Sequence, residues 1–188
     1  MARLPYLDKK DLAPEDQELL ARNANIFRAL AHSPGGLRAF STLGGFIRFK
    51  SKLDPRLREL AILMVGRLTG APYEWTHHVE IGRKFGVSDG DIRALMSEAD
   101  GISSTLEPLA KTVLKAATEM TCDLAISDAT FAQLRQSLDN ECIVDLVLTI
   151  AFYNGVVRTL ASLQIDVEDA YRRYLDEFPL PNHPRGKA

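Results

Sequence analysis

Apolar residues recur along this chain at three- and four-residue spacings almost from end to end, the mark of helices with one buried face. In residues 15–31, Leu19, Leu20, Ala24, Phe27 and Leu30 outline such a face. Ser33-Pro34 reads as an N-cap followed by proline at the first helical position, where the missing N–H has no intrahelical partner to lose. The helix it opens carries Leu37, Phe40, Leu43, Phe46 and Ile47, with Gly44-Gly45 marking a kink or a close approach. Asp54-Pro55 repeats the cap. Leu57, Leu60, Ala61, Met64, Val65 and Leu68 then spread too far around the helix at 55–68 for a surface position, so it is expected at the centre.

Thr69-Gly70-Ala71-Pro72 ends that helix and starts another over about 72–85, which Gly86 stops. Ser88 and Asp91 are spaced as a capping box for a helix to about 97. Further helices are expected at about 106–120, 127–138 and 167–177, and residues 140–163, the most apolar stretch, form a second buried helix. No stretch alternates as a strand does. The pattern predicts an all-α fold of eight or nine helices built around the helical hairpin at 54–86. It is one domain over 1–188, with an N-terminal helical extension over about 1–50 and a frayed tail over about 179–188.

Composition narrows the function classes. The chain has 188 residues, enough for one domain with a sizeable core, and a formal net charge of −2. That charge predicts no attraction to nucleic acid or to an anionic membrane. No apolar run approaches the roughly 20 residues that span a bilayer, and Met1 to Tyr6 lacks the apolar core of a signal peptide. Cys122 and Cys142 stand alone, without Cys-x-x-Cys spacing, and are expected to pack as small apolar residues. A reducing cytoplasm follows as the expected compartment.

One stretch concentrates proton-transfer groups. Glu59 is followed by a helix's length of apolar sequence and then by Ala-Pro-Tyr-Glu-Trp-Thr-His-His, residues 71–78. On a helix Glu74, His77 and His78 share one side, and a carboxylate can orient an imidazole and tune its basicity near neutral pH. Such spacing also describes a solvated surface ion pair. Tyr73 and Trp75 argue for partial burial, which moves pKa values into a useful range. Arg58 and Arg67 flank the region as candidate carboxylate-binding cations. Glu74 and His77 form one Glu-x-x-His unit, but a di-iron bundle needs a second, so no metal is expected. Tyr153-Asn154, inside the apolar 140–163 helix, must find polar partners or line a pocket.

Leu53 to Leu63, Tyr73-Glu74-Trp75-Thr76-His77-His78 and Arg83 to Ser88 resemble the carboxymuconolactone decarboxylase family of the alkylhydroperoxidase D-like superfamily. The resemblance extends more loosely to residues 25–34 and 152–154. It implies an alkylhydroperoxidase D-like helical bundle and a homo-oligomer, a trimer or hexamer, with a dimer as the alternative. The superfamily's antioxidant members place a glutamate, a Cys-x-x-Cys pair and a histidine where this chain has Glu59, Ala71 with Glu74, and His78. Neither Ala nor Glu can supply a thiolate or resolve a sulfenate, so thiol peroxidase activity is not expected. The decarboxylase side of the family implies general acid/base chemistry without metal or organic cofactor, on a small carboxylated molecule. Its catalytic residues would be His78, Glu59 and Glu74, with Tyr73, Trp75, His77, Arg58 and Arg67 binding substrate. The other readings are a peroxidase-like antioxidant protein and a non-catalytic oligomeric binding protein.

Overall fold

The computed structural model describes residues 2–182. Among them are nine α-helices, two short 3₁₀ segments and no strand. The 3₁₀ segments are Lys9–Asp11 and Pro14–Leu20. The helices are α1 (Asn25–Leu30), α2 (Pro34–Phe49), α3 (Pro55–Thr69), α4 (Pro72–Lys84), α5 (Asp89–Ala99), α6 (Pro108–Cys122), α7 (Asp128–Leu134), α8 (Asn140–Leu163) and α9 (Asp169–Glu177).

Helix α3 is the axis of the bundle. It packs against α4, α5, α6 and α8, and every residue from Leu57 to Leu68 is buried. Its start is fixed by Asp54, whose carboxylate accepts from the Leu57 N–H at 2.9 Å. Its end is fixed by Gly70 in the left-handed region at φ +59°, which glycine enters without a Cβ clash. The Ser88–Asp91 capping box forms as the spacing predicts.

Three local expectations are corrected. Residues 15–31 are not one helix: a 3₁₀ turn ends at Leu20, and α1 begins only at Asn25. The Asn25 N–H donates to Glu168 at 2.7 Å and its side-chain amide to the Asp166 carbonyl at 3.0 Å. These bonds to the start of α9 hold the chain out of helical register. Helix α2 runs unbroken through Gly44-Gly45, and a Cβ at Gly44 would sit 3.5 Å from the Phe152 ring, an ordinary contact. Cys122, expected to pack, is exposed.

By length and composition α8 is apolar enough to cross a membrane, contrary to the sequence expectation, and half of its most apolar window is buried inside the bundle. The last described turn is anchored: Trp75 Nε1 donates to the Phe178 carbonyl at 2.7 Å, and Arg67 Nη1 to that of Pro179 at 3.1 Å. The rest of the tail expected to fray, residues 183–188, lies outside the described residues.

Candidate active site

Two glycines bring α3 and α4 together. A Cβ at Gly66 would lie 3.3 Å from the Trp75 backbone nitrogen, and one at Gly82 would lie 3.6 Å from the Glu59 Cβ. Gly66 thus faces Trp75 while Glu59 faces Gly82, so the helices run antiparallel. That register sets Glu59 opposite His78.

The two side chains meet. His78 Nδ1 donates to Glu59 Oε2 at 2.6 Å. The other ring nitrogen, Nε2, stands 2.9 Å from Glu74 Oε1, within ion-pair reach but not aligned as a hydrogen bond. Behind Glu59, Arg58 donates to Oε1 through Nε and Nη2 at 3.1 and 2.9 Å. Its guanidinium lies over the Phe85 ring, 4.5 Å from the centroid. Glu74, His78, Glu59 and Arg58 therefore form a buried row of alternating charge, with all four nearly or fully out of solvent. Burying one such charge alone would cost several kcal/mol, at about the level that drives a group to its neutral form. Here each charge faces a partner.

Burial alone would lower the basicity of His78. Glu74 and Glu59 outweigh it and raise the imidazole from 6.5 to about 9. Burial likewise pushes Glu59 up, but His78 and Arg58 prevail and hold its carboxyl below the usual range. At neutral pH the centre is an imidazolium between carboxylates, a proton donor at rest.

Glu74 and His78 reach the wall of a cavity of about 820 Å³ between α2, α4, α8, α9 and residues 21–24. Phe27, Phe40, Phe152 and Tyr171 put aromatic rings in its lining. Tyr153 stands edge-on to the His78 ring with centroids 5.0 Å apart. Burial, then the nearby Glu74 and Glu59 carboxylates, pushes its hydroxyl's pKa up, so it stays protonated. Of the two expectations for Tyr153-Asn154, Tyr153 meets the pocket-wall one, since it lines the cavity. Asn154 turns elsewhere, donating to Thr121 at 3.0 Å and to the Ile150 carbonyl at 3.1 Å.

The expected binding residues divide. Tyr73 and His77 line the cavity. His77 is stacked between Tyr73 and Tyr171 at 4.1 and 3.8 Å, and its Nδ1 bonds the Tyr73 carbonyl at 2.9 Å. Its Nε2 lies 3.1 Å from Glu168, again unaligned. These contacts clasp α4 to α9. Arg58, Arg67 and Trp75 do not line the cavity. Arg58 is committed to Glu59, Arg67 to Asp100 at 2.9 Å, and Trp75 is fully buried against Phe178. The clamp expected of Arg58 and Arg67 fails because sequence gives their helix but not which face of it meets the core. Among the described residues no group of three or more His, Cys, Asp or Glu side chains is placed to hold a metal ion.

Residues 34–119 match the sequence profile of the carboxymuconolactone decarboxylase family. No curated protein matches the chain in sequence. Among solved structures, it is similar to an uncharacterized peroxidase-related protein with an alkylhydroperoxidase AhpD core from Ralstonia eutropha JMP134, with TM-score 0.75, 19% identity and 98% of each chain covered. An uncharacterized peroxidase-related protein from Silicibacter sp. TM1040 gives TM-score 0.71 at 20% identity, covering 90% of this chain and 93% of that one. A variant of the debrominase Bmp8 in complex with 2,3,4-tribromopyrrole gives 0.77 at 19% identity, covering 95% and 100%. At such identities these likenesses establish the shared fold.

Proposed function

We propose that this chain, whose residues 34–119 match the carboxymuconolactone decarboxylase family, is a general acid/base enzyme that protonates a carbanion or enolate formed from a small organic acid in the cavity. The observation that carries the reading is the Glu74–His78–Glu59 row, with Glu74 and His78 at the cavity wall. In a decarboxylation the bond between the carboxyl carbon and its neighbour breaks and carbon dioxide leaves. The electron pair stays behind as an enolate. His78 Nε2 delivers a proton to that carbon and is reprotonated from solvent. Glu74 holds the ring at the wall, while Glu59, itself held by Arg58, fixes the ring's far nitrogen. In a cavity shielded by aromatic rings each of these charges acts more strongly than in water.

The reading is supported over thiol peroxidase chemistry at this site by the residues themselves. Ala71 and Glu74 stand at the redox-cysteine positions, and neither Cys122 nor Cys142 lines the cavity. The test is a panel of lactone acids and aromatic-breakdown acids, following substrate loss and carbon dioxide release. At least one acid should be consumed, and His78→Ala should slow it by about 10²-fold or more, the usual weight of a general acid. Turnover that His78→Ala leaves unchanged removes His78 from the mechanism. A panel left wholly intact by the wild-type protein overturns the acid-substrate reading.

A further inference from the structure

The charges around the cavity do not balance, and the imbalance has a definite place. Four carboxylates reach the lining, and each has a cationic or imidazole partner. Glu18 pairs with Arg38 at 2.6 Å, Glu74 with His78 at 2.9 Å, Glu80 with Lys84 at 2.7 Å and Glu168 with His77 at 3.1 Å. Two lining cations, Arg22 and Arg48, form no ion pair among the described residues. Arg22 lies in the irregular link between the second 3₁₀ segment and α1, and Arg48 lies in the last turn of α2.

The two guanidiniums are neighbours, Arg22 exposed and Arg48 half-buried. Each sits over the same ring, Phe49, at 5.9 and 5.8 Å from its centroid. Burial and then the neighbouring Arg48 charge weaken the hold of Arg22 on its proton, as for a cation crowded by another. Both fields are felt at Tyr153, whose ring touches His78. Two like charges brought together without a counter-ion are unfavourable unless something anionic completes them. A planar guanidinium is suited to bidentate capture of a carboxylate.

We propose that Arg22 and Arg48 form the anion-binding end of this cavity, and that its ligand is a flat, largely apolar organic carboxylate. The acid group sits between the two guanidiniums. The apolar body lies along Phe40 and Phe152, which pack together with ring centroids 4.9 Å apart. Its reactive end reaches Glu74 and His78. This assignment rests on the acid/base reading of the same site and supplies the clamp that Arg58 and Arg67 do not.

Binding is tested apart from turnover, with 2-naphthoate and its neutral analogue 2-naphthamide as probes, titrated into the full-length protein by calorimetry. 2-Naphthoate should bind at least about tenfold more tightly than 2-naphthamide, the scale of a charged hydrogen bond. Arg48→Gln and Arg22→Gln should each remove about that factor, the double variant should abolish the preference, and naphthamide should bind all of them alike. Circular dichroism melts check that the variants fold, and Arg48→Lys should restore part of the preference. Equal affinity for the two probes, no binding of either, or a preference that survives in the double variant would overturn the clamp. In His78→Ala, 2-naphthoate should still bind. A clamp that passes while no acid in the panel is turned over would sink the enzyme reading and leave the binding site standing.

Discussion

At the residue scale the centre is His78, whose charge is a property of its neighbours. A glutamate on either side raises it from 6.5 to about 9 despite complete burial. The folded state therefore binds a proton that the unfolded chain releases between those values. The stability His78 contributes is fully present below about pH 6.5 and is lost as pH rises through about 9. Its size is about 3 kcal/mol, at 1.36 kcal/mol per tenfold. Glu59 acts in the opposite sense, contributing above its ordinary value and losing the contribution as pH falls through its lowered folded value. Urea denaturation at pH 6, 8 and 10 should show the alkaline loss in the wild type, and a much flatter profile over that range in His78→Gln. Parallel profiles would mean that His78 is not held charged. The pairing of Glu59 with His78 was legible because both sit on consecutive helices joined by a tight turn. The cations facing the cavity were not. Arg22 and Arg48 carry no motif, and only the folded chain reveals which basic side chains already have partners.

At the element scale, helix identity was largely written in the caps. Asp54, Ser88, Ser127 and Asp139 all accept N-terminal bonds as their residue types favour. The misreading of residues 15–31 has a physical origin: apolar spacing continues across a break made by tertiary bonds from Asn25 to residues 166 and 168. No local rule contains partners 141 and 143 residues away. The site depends on how closely α3 and α4 approach, and Gly66 sets that distance. In Gly66→Ala the new methyl meets the Trp75 backbone at 3.3 Å, and backbone cannot swing aside as a side chain can. A net loss of about 1–3 kcal/mol is expected, even after the roughly 1 kcal/mol gained from alanine's helix propensity. Gly45→Ala, with nothing within 4 Å of the new Cβ, should instead be neutral or gain up to about 1 kcal/mol. Thermal melts that rank the two variants equally would contradict the packing account.

At the scale of the whole molecule, the apolar surface is uneven. Leu37 and Ile47 of α2 are buried as expected, but Phe49 on the same helix is 62% exposed and Val144 on α8 is 55% exposed. Leu43, Phe46 and Leu148 are exposed too, and α2 packs on α8, with Ser51 just past α2 donating to Asp145 of α8 at 2.7 Å. Patches of this kind mark interfaces. We propose that a second copy of the chain covers this one, closing by rotation into a homo-oligomer. Light scattering should give a multiple of 20.9 kDa at micromolar concentration, and Val144→Glu should lower it. A monomer mass for the wild type would defeat the proposal.

The claim on which the rest depends is that the protein, and not solvent, delivers the proton. With any acid from the panel that the wild-type protein consumes, the reaction run in D₂O gives the most direct reading by NMR of the product. A proton delivered from His78 at one wall of the cavity should place a single deuterium on one face of the carbon that has lost its carboxyl group. Deuterium spread over both faces would mean that the carbanion is quenched by water, and would contradict the role assigned to the Glu74–His78–Glu59 row.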